Sequence, residues 1–256
     1  MMLQSLQTEF FKIKHQKITW IAPLIVLILM VITGVLMGHS EDRLLIMASY
    51  NASEWILLAL ILVGSTIFSM EFQNNTILTT LYKAPSRIQV YLSKLIVILI
   101  YNLLLHGLSL IFTVILQVTP VSAHISWLII NQYQQSLVVN MFSTTAISFV
   151  SSSLIISLIF LTSCLVNNNS VVITLNLAIV FLGQGISARL LDSNLKFLNV
   201  FKWNPLNMYN LTTQYYNYPV YHDISRLTNQ ELLMGTLIYT IVFISLGYLV
   251  FRKKHF

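Results

Sequence analysis

The 256-residue chain is 56% hydrophobic and only 9% charged, against about 25% charged residues in soluble domains. That shortage excludes a soluble globular domain and makes lipid the main solvent. The net charge of +6 comes from a few basic residues scattered between apolar runs, which excludes a nucleic-acid face and suits a protein beside anionic inner-leaflet lipid. One cysteine, Cys164, excludes an intramolecular disulfide and a cysteine-rich metal site, and in its apolar run it reads as a packing residue.

Residues 1–17 set Leu3, Leu6, Phe10, Phe11 and Ile13 against Gln4, Gln7, Lys12, Lys14 and Lys17, the pattern of an amphipathic helix lying on the membrane surface. As a minimum it anchors the chain before it turns inward at Trp20 and Pro23. The first apolar run is followed by no small-x-small cleavage site, so it reads as a span that stays. About 20 apolar residues cross a hydrocarbon core. Six stretches suffice: Ile18–Met37, Glu54–Met70, Leu92–Val118, Leu137–Val166, Val171–Leu191 and Leu232–Phe251. Their continuous apolarity excludes a β-barrel. The first ends in Gly34-x-x-x-Gly38, a close-packing face. Glu54, beside Trp55, reads as a carboxylate snorkelling to water, with an ion or substrate contact as the alternative.

A polar interval of different character, Glu71 to Lys94, separates the second and third spans. It opens with an acid, carries a short amphipathic run, breaks at Pro85 and restarts at Ser86 and Arg87. Beyond it the spans carry polar residues, among them Asn102, His106 and Gln117 in the third, a Ser/Thr run including Ser148 in the fourth, and Asn176 and Gln184 in the fifth. Asn102, His106, Asn140, Ser148 and Asn176 are candidates for lining a path. The preferred reading is interhelical bonding, because polar groups at depth join helices. Asn167–Ser170 reads as a tight turn. Residues 192–231 form an aromatic external segment punctuated by Pro205 and Pro219, which belongs at the membrane interface or in a small packed cap, with one or two short helices expected near the outer surface.

Charge sets the orientation. One side collects Lys12, Lys14, Lys17, Lys83, Arg87, Lys94, Arg252, Lys253 and Lys254, with only Glu9 and Glu71 as acids. The other offsets Arg43, Arg189, Lys196, Lys202 and Arg226 with Glu41, Asp42, Glu54, Asp192, Asp223 and Glu231. The first side is therefore expected to be cytoplasmic. The expectation is an all-α membrane protein, a single transmembrane domain over residues 1–256, with six transmembrane helices, an amphipathic N-terminal interfacial helix and both termini cytoplasmic. Catalytic and metal-binding candidates are absent: no glycine precedes a lysine, so there is no P-loop, and no H-E-x-x-H run occurs.

On Glu71, Thr76, Ile77, Leu81, Pro85, Ser86, Arg87 and Lys94 the chain resembles the permease subunits of ABC-2-type ABC transporters. Their second and third spans are joined by an inner loop with a leading acid, a Thr-Ile-x-x-Leu-like run and a Pro-Ser-Arg restart. In layout the resemblance covers nearly the whole chain; in motif it covers this interval. It implies that residues 71–94 are a cytoplasmic coupling segment, with Phe72 to about Tyr82 a helix that docks on a separate ABC ATPase. Glu71, Phe72, Thr76, Ile77, Leu81, Lys83, Pro85 and Arg87 are then the coupling candidates, and Lys83 and Arg87 meet acids of the partner or lipid phosphates. The chain itself needs no cofactor, since ATP and Mg belong to the ATPase. A second permease copy or paralogue completes a homo- or heterodimer in a bacterial cell membrane. The implied cargo is a hydrophobic or amphipathic peptide, such as a cytolytic peptide or bacteriocin. A drug or lipid exporter, or a non-transporting immunity or scaffold protein, is the alternative.

Overall fold

A computed structural model describes residues 2–37, 42–83, 86–119, 125–192 and 198–254. Gly38, Glu41, Pro85 and Lys196, all named above, lie outside the described residues, as does the side chain of Lys83. The described fold is all-α, with six helical segments long and apolar enough to cross a membrane.

The first helix, α1 (Met2–His15), ends one residue before α2 (Lys17–Met37), the first span. Trp20 Nε1 donates to Lys14 O at 2.8 Å across that corner. A short α3 (Asp42–Met47) leads to α4 (Ala52–Gln73) through Ser49, Tyr50 and Asn51, all left-handed with φ of 49°, 52° and 61°. Trp55 Nε1 donates to Thr33 Oγ1 and ties α4 to α2. After α5 (Ile77–Lys83), α6 runs Arg87–Gln117. It starts at the expected restart because Ser86 caps it, accepting from Gln89 N, and so precedes the apolar stretch that begins at Leu92.

Next come α7 (Leu137–Leu165) and α8 (Asn169–Asp192). Between them Asn168 Oδ1 accepts from Ser170 N and Val171 N, an N-cap that closes the tight turn. The last span, α12 (Asn229–Lys253), opens on a capping box of Thr228 and Glu231.

The segment between α8 and α12 departs from expectation. It holds α9 (Leu198–Phe201), a 3-10 turn at Asn207–Tyr209, α10 (Asn210–Tyr216) and α11 (Tyr218–Ser225). The short helices α9 and α11 carry exposed residues such as Val200 and Val220, as expected near the surface, but α10 is a buried insertion between them. Residues 210–214 are buried, and α10 packs on α7 and α12. Its amides make this tolerable by satisfying the loop's own backbone, as burial out of water requires. Asn207 Nδ2 donates to Lys202 O and Ser225 O, and Gln214 Nε2 to Leu227 O.

The end opposite this cap gathers α1, α5, Arg87, the 168–169 turn and the end of α12, and is called here the basic end. Arg87 Nη1 donates to Arg252 O and Lys254 O, both at 2.8 Å, and Lys254 Nζ to Cys164 O.

Above that end, Phe68 is fully buried and centres an aromatic cluster with Phe72, Tyr91, Phe160 and Phe251, at ring distances of 5.0–5.7 Å. The helices close on it through Gly247, where an added Cβ meets Tyr91 OH at 2.6 Å and the Leu161 backbone at 3.4 Å. Tyr91 OH is held by Ile244 O at 3.0 Å, so it has little freedom to retreat. Gly247→Ala is expected to destabilise by about 1–3 kcal/mol, the cost of overpacking. Gly107→Ala, with nothing within 4 Å of the new methyl, is expected to be neutral or to stabilise by up to about 1 kcal/mol. Melting curves of the two variants in detergent check the contrast.

Candidate functional site

The basic end holds a compact charge cluster drawn from three helices. Lys94 of α6 has no exposed side-chain surface, and its ammonium reaches Glu9 Oε2 at 2.8 Å, Glu71 Oε1 at 2.8 Å and Ile67 O at 3.1 Å. Those three partners match the three N–H donors of a lysine. The Phe68 ring lies 5.3 Å from the same nitrogen. Lys12 of α1, one-third exposed, reaches Glu9 Oε1 and Glu71 Oε1, each at 2.7 Å. Two acids and two bases leave the cluster neutral, the condition for keeping charge out of water. Burial pulls the Lys12 ammonium down, but the Glu71 and Glu9 carboxylates outweigh it and its pKa is raised.

The surface anchor is therefore also a fastened part. Glu9 stands between Lys12 and Lys94, so α1 is bound to the foot of α4 and α6. Sequence reasoning named Lys94 within a motif but missed the role of Glu9 and Lys12. A signal existed: Glu9 and Lys12 are spaced i, i+3 on one helix face, and Glu9 and Glu71 are the only acids that charge counting put on this side.

Residues 71–94, expected to be a coupling segment, differ in detail from their sequence reading. One helix from Phe72 to Tyr82 was expected, but α4 ends at Gln73 and α5 begins at Ile77. The break lies at Asn74, whose N–H donates to Met70 O, and at Asn75, left-handed with φ 57°, whose N–H donates to Phe72 O. Asparagine tolerates that conformation and ends helices with it. Phe72 thus belongs to the core, 6% exposed, with Lys254 Nζ 4.1 Å above its ring. Glu71 lies in the charge cluster, and Arg87 clamps the α12 terminus, where a cation favours the helix dipole. Thr76 O accepts the Thr79 and Thr80 hydroxyls.

Along α5, Ile77 is buried and Leu81 packs on the core. The i, i+4 pair on another face, Leu78 and Tyr82, is 48% and 93% exposed. The coupling candidates Ile77 and Leu81 are thus the inward pair, and Leu78 and Tyr82 were not among them, because which face a seven-residue helix buries depends on the helices beneath it. Lys12, Gln16, Thr66, Met70 and Thr79 help line an open groove of about 940 Å³ between α1, α4 and α5.

The path candidates occupy three separate places, and all five are buried. Asn102 and Ser152 bond each other across α6 and α7, and His106 Nε2 lies 3.0 Å from Ser148 Oγ just above. Asn140 Nδ2 donates to Gln132 O, holding the loop before α7. Asn176 Nδ2 donates to Thr162 Oγ1 between α7 and α8. Among the described residues, no three His, Cys, Asp or Glu side chains converge as metal ligands.

The family model described as "ABC-2 family transporter protein" matches residues 5–183, from α1 into α8. No curated protein matches the chain.

Proposed function

Because the chain belongs to the ABC-2 transporter family, and so is a membrane permease component of an ABC transporter, we propose that it exports cargo with energy from a separate ATPase docked on α5. The basic end then faces the cytoplasm, as its excess of Lys and Arg favours. ATP and Mg are held by the ATPase. The observation that carries the reading is the outward pair Leu78 and Tyr82, on a helix joined to the neutral charge cluster by Lys12 Nζ, which donates to Thr80 Oγ1 at 3.4 Å. Exposed apolar and aromatic side chains anchor interfaces. The buried cluster transmits a push on α5 to α1, α4 and α6 as one body, since every ammonium contact in it links two helices or two turns of one.

A second copy or paralogue completes the exporter in a bacterial cell membrane, across the outward faces of spans such as α2 and α8. Exposed Ile28, Leu36, Phe181 and Leu182 favour such a lipid- or partner-facing role. The cargo is a hydrophobic or amphipathic peptide. The clefts inside the bundle suit only small groups, so an extended cargo is best carried at the junction of two copies.

The test is co-purification with an ABC ATPase subunit co-expressed with this chain. Leu78→Asp with Tyr82→Asp is expected to weaken binding about 30-fold or more, the loss of at least one hot-spot side chain. Melting temperature should stay unchanged, because both side chains are exposed. Undiminished ATPase binding by this folded variant sinks the docking assignment.

A further inference from the structure

Glu54 stands in the first turn of α4, 19 residues above Gln73 and so about 28 Å from the foot of the helix. That places it near the outer boundary of a hydrocarbon core of about 30 Å, half-buried among the helices. A carboxylate drawn into a bundle there is costly without a partner and marks a functional position. Among the described residues, the Glu54 carboxylate has no hydrogen bond and no ion pair.

It opens on a cleft between α4, α7, α8 and α10, about 360 Å³ including its open mouth. Oxygen atoms converge there. Ser53 Oγ is buried without a hydrogen-bond partner among the described residues. The hydroxyls of Ser151 and Thr212 line the same cleft and make no hydrogen bond among those residues. Gln184 Nε2 donates to Tyr209 O at 3.3 Å, which leaves its Oε1 as an acceptor. Ser148 and Ser152, also at the cleft, are already engaged by His106 and Asn102.

The cleft therefore has acceptor oxygens and one negative charge but no basic side chain. Hard oxygen donors suit hard cations, and divalent ions usually gather more than one carboxylate. The free space admits a group the size of a water molecule. We propose that the cleft is a binding site for a small monovalent cation, an alkali ion or the terminal ammonium of an amine, with Glu54 as its counter-charge. The occupant neutralises the intramembrane carboxylate and ties the buried cap helix α10 to α4, α7 and α8. The site is independent of the ATPase contact.

Thermal unfolding of the purified chain in nanodiscs tests this, in chlorides of sodium, potassium and methylammonium against choline at constant ionic strength. A small cation is expected to raise the melting temperature saturably, by about 3–6 °C at ten times its half-saturating concentration. Glu54→Gln is expected to abolish the rise, and Ser151→Ala to increase the half-saturating concentration several-fold. A response to sodium or potassium alone identifies an ion from solution; a response led by methylammonium identifies an amine. The proposal is overturned if no small cation exceeds choline, or if Glu54→Gln keeps the wild-type rise. Should Glu54→Gln not fold, an unshifted response in Ser151→Ala and Thr212→Val overturns it equally.

Discussion

Lys94→Met is expected to cost about 3–5 kcal/mol of stability, the penalty for leaving buried charge without its partner. Lys94 has no exposed side-chain surface and contacts both Glu9 and Glu71. Removing it leaves two carboxylates facing Lys12 alone. Neutralising Glu9 at the same time restores the balance, since Glu71 and Lys12 remain as a 2.7 Å pair. The double variant Glu9→Gln, Lys94→Met is therefore expected to recover most of the loss, and a double-mutant cycle on melting temperature measures the coupling. Lys12→Ala is expected to cost less than Lys94→Met, because its side chain is 33% exposed and water screens its pairs. Equal losses in both single variants and no recovery in the double variant contradict the cluster as described.

The second large effect is at Phe68. Its ring is fully buried and touches side chains of α6, α7 and α12 as well as Phe72 of its own helix. Phe68→Ala is expected to cost about 3–5 kcal/mol. The loss is chiefly of dispersion contacts, because helices unfolded from one another in lipid still keep apolar side chains away from water. Phe68→Leu keeps most of the volume and is expected to cost less than about 1.5 kcal/mol. Unfolding by denaturant or heat in the same detergent ranks the two. A Phe68→Ala variant as stable as Phe68→Leu removes the aromatic cluster from its place as the hub of the basic end.

These two residues also show where sequence reading stops. Six long apolar runs were legible because each must cross lipid with its backbone bonded internally, a requirement of length and composition alone. The helix starts at Ser86, Asn168 and Thr228 follow from side chains that cap the next few amides, again a local matter. The break at Asn74 and Asn75 was not read, since an Asn-Asn pair is as compatible with a polar helix surface as with a left-handed turn. The aromatic segment 192–231 signalled an interface or a packed cap but not the burial of α10. Its burial depends on Asn207 and Gln214 finding carbonyls that only the folded cap brings near.

By itself, then, the sequence determined an all-α membrane protein with six spans, the two opposed charge populations and the motif that resembled the ABC-2 permeases. Each of these rests on near neighbours along the chain or on simple counts. Tertiary structure alone decided that Glu9, Lys12, Glu71 and Lys94 are one neutral cluster, that Ile77 and Leu81 face inward while Leu78 and Tyr82 face out, and that Glu54 looks into an oxygen-lined cleft. Those facts join residues far apart in the chain, 85 positions in the Lys94–Glu9 contact and more from Glu54 to Thr212 at the cleft. The reason is physical: a buried charge is tolerable only beside its opposite, and which opposite is near is settled by how helices pack.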